Sequence, residues 1–242
     1  GVQDQPPARH CRVLRRVCGR ADGRGRHDLL LCPGQRAAHP VSGGGFVHPQ
    51  DGDDDLFCAR VAAEIGGIVV DVDYAVTPEY VFPTAFEQVW DVAEWAFAHA
   101  KELGADSNRI SIGGHSAGGA LTAAICLRAA KTGNMKFALQ ILDYAALDNA
   151  MSFEPGGNER SRAFSMLYCD GNVRVLKSPY CSPVFASGEM LKNQPRTLII
   201  NAEHCPFRTV TERYGQRLAQ VGNEVAFRLF PGSAHGFTIR MT

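Results

Sequence analysis

Ser116 stands in Gly114-His115-Ser116-Ala117-Gly118, with a glycine two residues before it and another two residues after it. A sharp strand-to-helix turn needs this spacing, because glycine lets the backbone pass close to its neighbours while the serine hydroxyl is lifted clear of the sheet. A hydroxyl is a weak nucleophile at neutral pH and requires a base that takes its proton and later returns it to a leaving group. His235, in Pro231-Gly232-Ser233-Ala234-His235-Gly236-Phe237, is the candidate base, since it follows the last predicted strand and comes after the serine in the chain. His115, inside the turn, is expected to pack or cap. Attack on a carbonyl also creates an oxyanion, which backbone amides stabilise best where no side chain blocks the approach. Gly43-Gly44-Gly45-Phe46 offers such a loop, and the amides of Gly44, Gly45 and Ala117 are the predicted donors. Together these residue types imply acyl transfer through a serine.

Regular elements must hold these groups in place. A strand predicted over 109–113 enters the glycine turn, and a helix predicted over 121–131 leaves it, which is the context the turn requires. Before them the pattern gives a helix at 56–65, a strand at 68–73 and a helix after Pro83. In that second helix Phe86, Val89, Trp90, Ala93, Phe97 and Ala100 recur at helical spacing and Gly104 provides the stop. The aromatic residues Trp90, Trp95 and Phe97 read as core packing. A strand at 137–143 follows, then, after a mixed stretch, a strand at 196–202, a helix at 209–221 and a strand at 224–230. The alternation predicts an α/β fold with a mainly parallel central sheet flanked by helices. One catalytic domain over 41–242 is expected, with a cap-like insertion at about 147–195, broken by Pro155-Gly156-Gly157 and Ser178-Pro179, that covers the site.

The 242 residues suit one domain, and 45% hydrophobic content is the level of a globule with a core. Lys and Arg total 25, as do Asp and Glu, so no global field draws the chain to nucleic acid or an anionic membrane. A small, uncharged or weakly polar ligand is the natural partner. No apolar run approaches the roughly 20 residues of a membrane span, and no secretory h-region opens the chain. A cytoplasmic location is expected. The eight cysteines form no CxxC pair and have no histidine at metal spacing, so free thiols are expected and no metal site. The acidic run Asp51, Asp53, Asp54 and Asp55 reads as a solvated loop, because a calcium loop begun at Asp51 would need glutamate where Ala62 stands. Residues 1–40 differ from the rest, with eight arginines against three aspartates and neither lysine nor glutamate. They read as an atypical basic segment, poorly packed or disordered, with a tail for an acidic partner as the functional alternative. There Asp28–Cys32 alone resembles a strand, and Arg12–Cys18 fits neither period. The Arg, Gly, Pro and Cys bias also fits a shifted reading frame or an altered exon.

Four blocks resemble the hormone-sensitive-lipase-like esterases and lipases of the α/β-hydrolase class. Ser42-Gly43-Gly44-Gly45-Phe46-Val47 is similar to their HGGGF loop. Val72-Asp73-Tyr74 with Thr77-Pro78-Glu79-Tyr80 and Phe82-Pro83 is similar to VDYRLAPE and the FP that follows. Gly114–Gly119 is similar to GDSAGG, and Pro231–Phe237 to the closing HGF block. The resemblance spans residues 42–238 and does not extend before Val41. It implies hydrolysis of small-molecule carboxylic esters with short or medium acyl chains, through an acyl-enzyme, without a cofactor and often as a homodimer. Three departures stand out. Ser42 replaces the histidine that braces the oxyanion loop, and His115 replaces an aspartate. Cys205, in Cys205-Pro206-Phe207-Arg208, occupies the position of the family's catalytic acid. A neutral thiol cannot stabilise an imidazolium as a carboxylate does. Glu203, two residues earlier, is the alternative acid, and the choice between a substitute acid and a weakened triad stays open. Two functions therefore follow: an ester hydrolase, or a catalytically weak or inactive hydrolase-fold protein that binds a small ligand.

Overall fold

In the computed structural model, residues 12–17, 37–49 and 52–239 are described. Aliphatic and β-branched runs form the strands, and the helices carry their apolar stripes toward them. In chain order the elements are β1 (Arg12–Val17), β2 (Ala37–Val41), α1 (Gly52–Ile65), β3 (Ile68–Asp73), α2 (Thr84–Leu103), β4 (Ile110–His115), α3 (Ala117–Thr132), β5 (Leu139–Asp143), α4 (Glu159–Tyr168), β6 (Arg196–His204), α5 (Arg208–Gln220) and β7 (Val225–Ala234). The strands form one sheet in the order β1-β3-β2-β4-β5-β6-β7, and each described pairing is parallel. Helices between parallel neighbours are what this sheet demands, since each strand must return to the same end before the next can pair. The predicted α/β-hydrolase architecture is therefore the observed one.

The core gathers around α3. Its Leu121, Ala124 and Ile125 pack with Phe86, Val89, Trp90 and Ile112, while its Ala123 and Leu127 pack with Leu142, Ile199, Tyr214 and Leu218. Small residues make this double contact possible. Gly119, for example, faces Ala145, where an added Cβ would come within 2.5 Å of the alanine methyl. Trp90 is buried, and Trp95 and Phe97 pack against the same cluster, as expected of core aromatics. At the other edge, β7 leaves Phe227, Leu229 and Phe230 exposed.

Several element boundaries differ from the predicted ones, each for an identifiable reason. Helix α3 begins at Ala117 rather than 121, because Ala117, Gly118, Gly119 and Ala120 are too small to register as an apolar stripe although all four are buried. Helix α1 begins at Gly52 rather than 56, so Asp53, Asp54 and Asp55 lie in its first turn and not in a loop. Carboxylates are favoured there by the exposed amides and positive end of the helix. Strand β6 continues two residues beyond 202, to His204. Arg12–Val17, which showed no period, pairs with β3 as an edge strand, where backbone hydrogen bonds rather than side-chain alternation make the register. The strand expected at Asp28–Cys32 lies outside the described residues. Among the described residues no helix is long and apolar enough to cross a membrane, and Cys58, Cys126, Cys169, Cys181 and Cys205 are free thiols.

Leu127 is 1% exposed and packs with Leu142, Ile199, Tyr214 and Leu218. Leu127→Ala is expected to cost about 2–5 kcal/mol of unfolding free energy, measured by urea denaturation.

Candidate active site

The serine turn is built by backbone strain and backbone contact. Ser116 has φ 52° and ψ −113°, a conformation non-glycine residues rarely adopt. Such strain costs of order 1–3 kcal/mol and persists only where neighbours enforce it. They do so through the Ser116 amide, which donates to the Asp143 carbonyl at 3.0 Å, and the Ser116 carbonyl, which accepts from Ala146 at 2.9 Å. A Cβ on Gly114 would overlap the Gly118 backbone, and a Cβ on Gly118 would overlap the Val41 and Ser42 carbonyl oxygens. Both glycines of the motif are thus required by contact with main chain.

His235 follows β7 and its ring Nε2 lies 2.9 Å from Ser116 Oγ. Its ring is held edge-on between Tyr144 and Phe207, at centroid distances of 4.8 and 5.2 Å. On the far side of the imidazole, Nδ1 lies 3.2 Å from Cys205 Sγ, and the Phe207 amide donates to the same sulfur at 3.4 Å. Burial, reinforced by nearby Asp143, pushes the Cys205 thiol above its ordinary pKa, so it faces His235 as a neutral group. For Nε2 to accept the serine proton the histidine must carry its own proton on Nδ1, and that proton then points at a sulfur, a weak acceptor.

Glu203 is not brought to this place. Its carboxylate accepts from the Gly232 amide at 2.7 Å and stands 4.0 Å from His204 Nε2. The cause is the extra length of β6: Glu203 is still in the strand, facing the turn of β7, whereas Cys205 has left the sheet and turns toward the histidine.

The glycine loop adopts positive φ at three consecutive residues, Gly44 (108°), Gly45 (64°) and Phe46 (65°). Val47 and His48 amides close it by donating to the Gly44 carbonyl at 3.1 and 3.0 Å. The Tyr74 hydroxyl donates to the Ser42 carbonyl at 2.9 Å and approaches the Gly43 carbonyl at 3.3 Å. Burial pushes that phenol well above its ordinary pKa, so it remains a donor. Tyr74 thus braces the loop from outside, where Ser42 is too short to do so from within. Ala117 is the first residue of α3, a position whose amide has no acceptor within the helix.

A buried polar cluster lies beside the turn, and sequence reasoning missed most of it. His115 Nδ1 is 2.7 Å from Asp143 Oδ2, and the Thr238 hydroxyl donates to that same oxygen at 2.6 Å. The Tyr144 hydroxyl meets Thr238 Oγ1 at 2.8 Å. His115 therefore pairs with a carboxylate rather than merely filling space. The one available signal was Asp143 itself, an acid closing a mostly apolar strand.

A cavity of about 480 Å³ opens over Ser116 and His235. Gly44 and Gly45 line it from the glycine loop, and Asn149, Arg160 and Phe164 line it from the segment between β5 and β6. Phe164 lies where a Cβ on Gly45 would sit, and Tyr168 stacks on Phe46 at 3.8 Å, so α4 rests directly on the glycine loop.

Known proteins resemble this chain in sequence and in fold. Esterase LipI of Mycobacterium tuberculosis is 32% identical over 219 residues, covering 85% of this chain and 68% of the relative. The arylesterase of Saccharolobus solfataricus is 34% identical over 182 residues, covering 70% of this chain and 57% of the relative. A hyperthermophilic esterase from Pyrobaculum calidifontis superposes with a TM-score of 0.77 at 32% identity, over 84% of this chain and 67% of that one. The chain thus spans between just over half and about two thirds of the length of these relatives. Residues 41–239 match the family described by the alpha/beta hydrolase fold, and the chain belongs to that family.

Proposed function

We propose that this chain is a serine hydrolase that cleaves carboxylic esters of short or medium acyl chains, with Ser116 as nucleophile and His235 as base. The observation that carries the reading is the 2.9 Å contact between Ser116 Oγ and His235 Nε2 at a strained turn facing the glycine loop. The esterases among its relatives support the same activity.

In this mechanism His235 Nε2 takes the Ser116 proton as Oγ bonds to the ester carbonyl carbon. The carbonyl oxygen becomes an oxyanion held by the amides of Gly44, Gly45 and Ala117. Collapse of that intermediate breaks the carbon–oxygen bond to the alcohol, and His235 returns the proton to the departing alkoxide. Water, deprotonated by the same imidazole, then attacks the acyl carbon; the bond to Ser116 Oγ breaks, His235 returns the proton to Oγ, and the acid is released. The segment at about 147–195 acts as a cap that shapes the acyl pocket, and a cavity of about 480 Å³ suits a small ester. Free thiols at five described cysteines favour a reducing, cytoplasmic setting.

Cys205 favours a second reading, a weak or inactive hydrolase fold that binds a small ligand, because the group facing His235 Nδ1 is neutral. A fluorophosphonate probe and p-nitrophenyl acetate and butyrate separate the two. Labelling and turnover that vanish in Ser116→Ala are expected; a well-folded protein with neither would sustain the binder instead. Cys205→Asp places a carboxylate against Nδ1 and is expected to raise kcat, with an upper bound of roughly 10⁴, the loss on removing that carboxylate in another serine hydrolase. Tyr74→Phe removes the brace of the oxyanion loop and is expected to lower kcat about 10-fold with KM little changed, measured by steady-state kinetics.

A further inference from the structure

We infer that Asp143 and Thr238 are positioning residues that aim His235 at Ser116, replacing the orienting role that the Cys205 thiol cannot fill. The inference rests on the reading of Ser116 and His235 as nucleophile and base.

Three observations carry it. First, the group facing His235 Nδ1 is a neutral sulfur at 3.2 Å, which accepts a hydrogen bond weakly and fixes the ring angle poorly. Second, the loop that carries His235 is tied down three residues later, where the Thr238 hydroxyl donates to Asp143 Oδ2 at 2.6 Å. A hydroxyl bonded to a carboxylate at that length is among the stronger neutral-to-charged hydrogen bonds. Third, the other end of the same residue holds the nucleophile, because the Asp143 carbonyl accepts from the Ser116 amide at 3.0 Å. One buried residue, 3% exposed at the end of β5, therefore sets both the backbone of the nucleophile and the loop of the base.

The neighbours of the clamp reinforce it. Gly236, with φ 87°, lets the chain turn sharply between His235 and Thr238. The Tyr144 hydroxyl meets Thr238 Oγ1 at 2.8 Å, and the same tyrosine presents its ring edge-on to His235. His115 Nδ1 meets the same Asp143 Oδ2 at 2.7 Å and lies 3.3 Å from Thr238 Oγ1, fixing the carboxylate that Thr238 must find. Position thus passes from β5 through Asp143 and Thr238 to the imidazole without using the acid position at all. A displacement of about 1 Å in such a group costs on the order of 10²-fold in rate, so the clamp governs turnover rather than substrate affinity.

The test is a double-mutant cycle on the purified chain, read by kcat and KM for p-nitrophenyl butyrate and by the rate of fluorophosphonate labelling. Thr238→Val keeps the shape and removes the hydroxyl; it is expected to lower kcat and the labelling rate about 10- to 100-fold with KM within about threefold. Thr238→Ser, which restores the hydroxyl, is expected to recover most of that loss. In a Cys205→Asp background the carboxylate orients His235 directly, and the same Thr238→Val change is expected to cost less than about threefold. Equal losses in the two backgrounds, or none in the first, overturn the proposal. Thr238→Ala is the second variant should valine crowd the loop, and loss of the folded state in both, followed by circular dichroism, assigns Thr238 a purely structural role and overturns it too. Activity that survives in Ser116→Ala, or absence of both turnover and labelling in the unaltered chain, instead strikes the underlying reading of the nucleophile, and the clamp falls with it.

Discussion

No side chain fits between the first turn of α3 and the end of β2. The Gly118 backbone lies so close to the Val41 and Ser42 carbonyls that a single Cβ would collide with both. This approach decides where nearly everything else in the site must be. It lets α3 start immediately after Ser116, with no linker to relax the turn, and so holds the serine at positive φ. It also brings the chain leaving β2, which becomes the glycine loop, against the elbow. The proposed nucleophile and oxyanion donors are therefore set by one backbone contact at the centre of a parallel sheet, where helix and strand ends converge.

The electrostatics of the site are less symmetric than its backbone. A carboxylate sits in the interior at Asp143, with one oxygen held by His115 and Thr238, while the position facing His235 carries a neutral thiol. Burying a carboxylate costs several kcal/mol unless good partners surround it, and here one oxygen receives two of them. The negative charge of this site has its place beneath the elbow, beside the relay rather than in line with it. A base aimed by its loop and one aimed by a carboxylate on Nδ1 differ in what they offer the transition state. Both can orient the ring, but only the second neutralises the developing imidazolium at contact distance.

Much of this was legible in the chain alone. The alternation of elements, the elbow with its two glycines, the glycine loop and the terminal histidine all carry short-range signals, since each demands a residue type at a fixed offset. The boundaries of α3 escaped because Ala117–Ala120 are small, and smallness, not hydrophobicity, is what that contact selects. Glu203 was a reasonable candidate by proximity along the chain, but the strand ran two residues further and carried its carboxylate toward Gly232. Tyr74 and Thr238 were silent for a different reason. Their roles depend on partners 31 or more residues away, and no local pattern encodes such a pairing.

The seat of α4 has a consequence for how such a site diversifies. Phe164 presses on Gly45 and Tyr168 stacks on Phe46, so the wall that would sort substrates by shape leans on the loop that would stabilise charge. Remodelling that wall to admit a bulkier ester moves the amides as well. For the proposed esterase, selectivity and speed are then coupled through one packing contact, and a change in either is felt by the other.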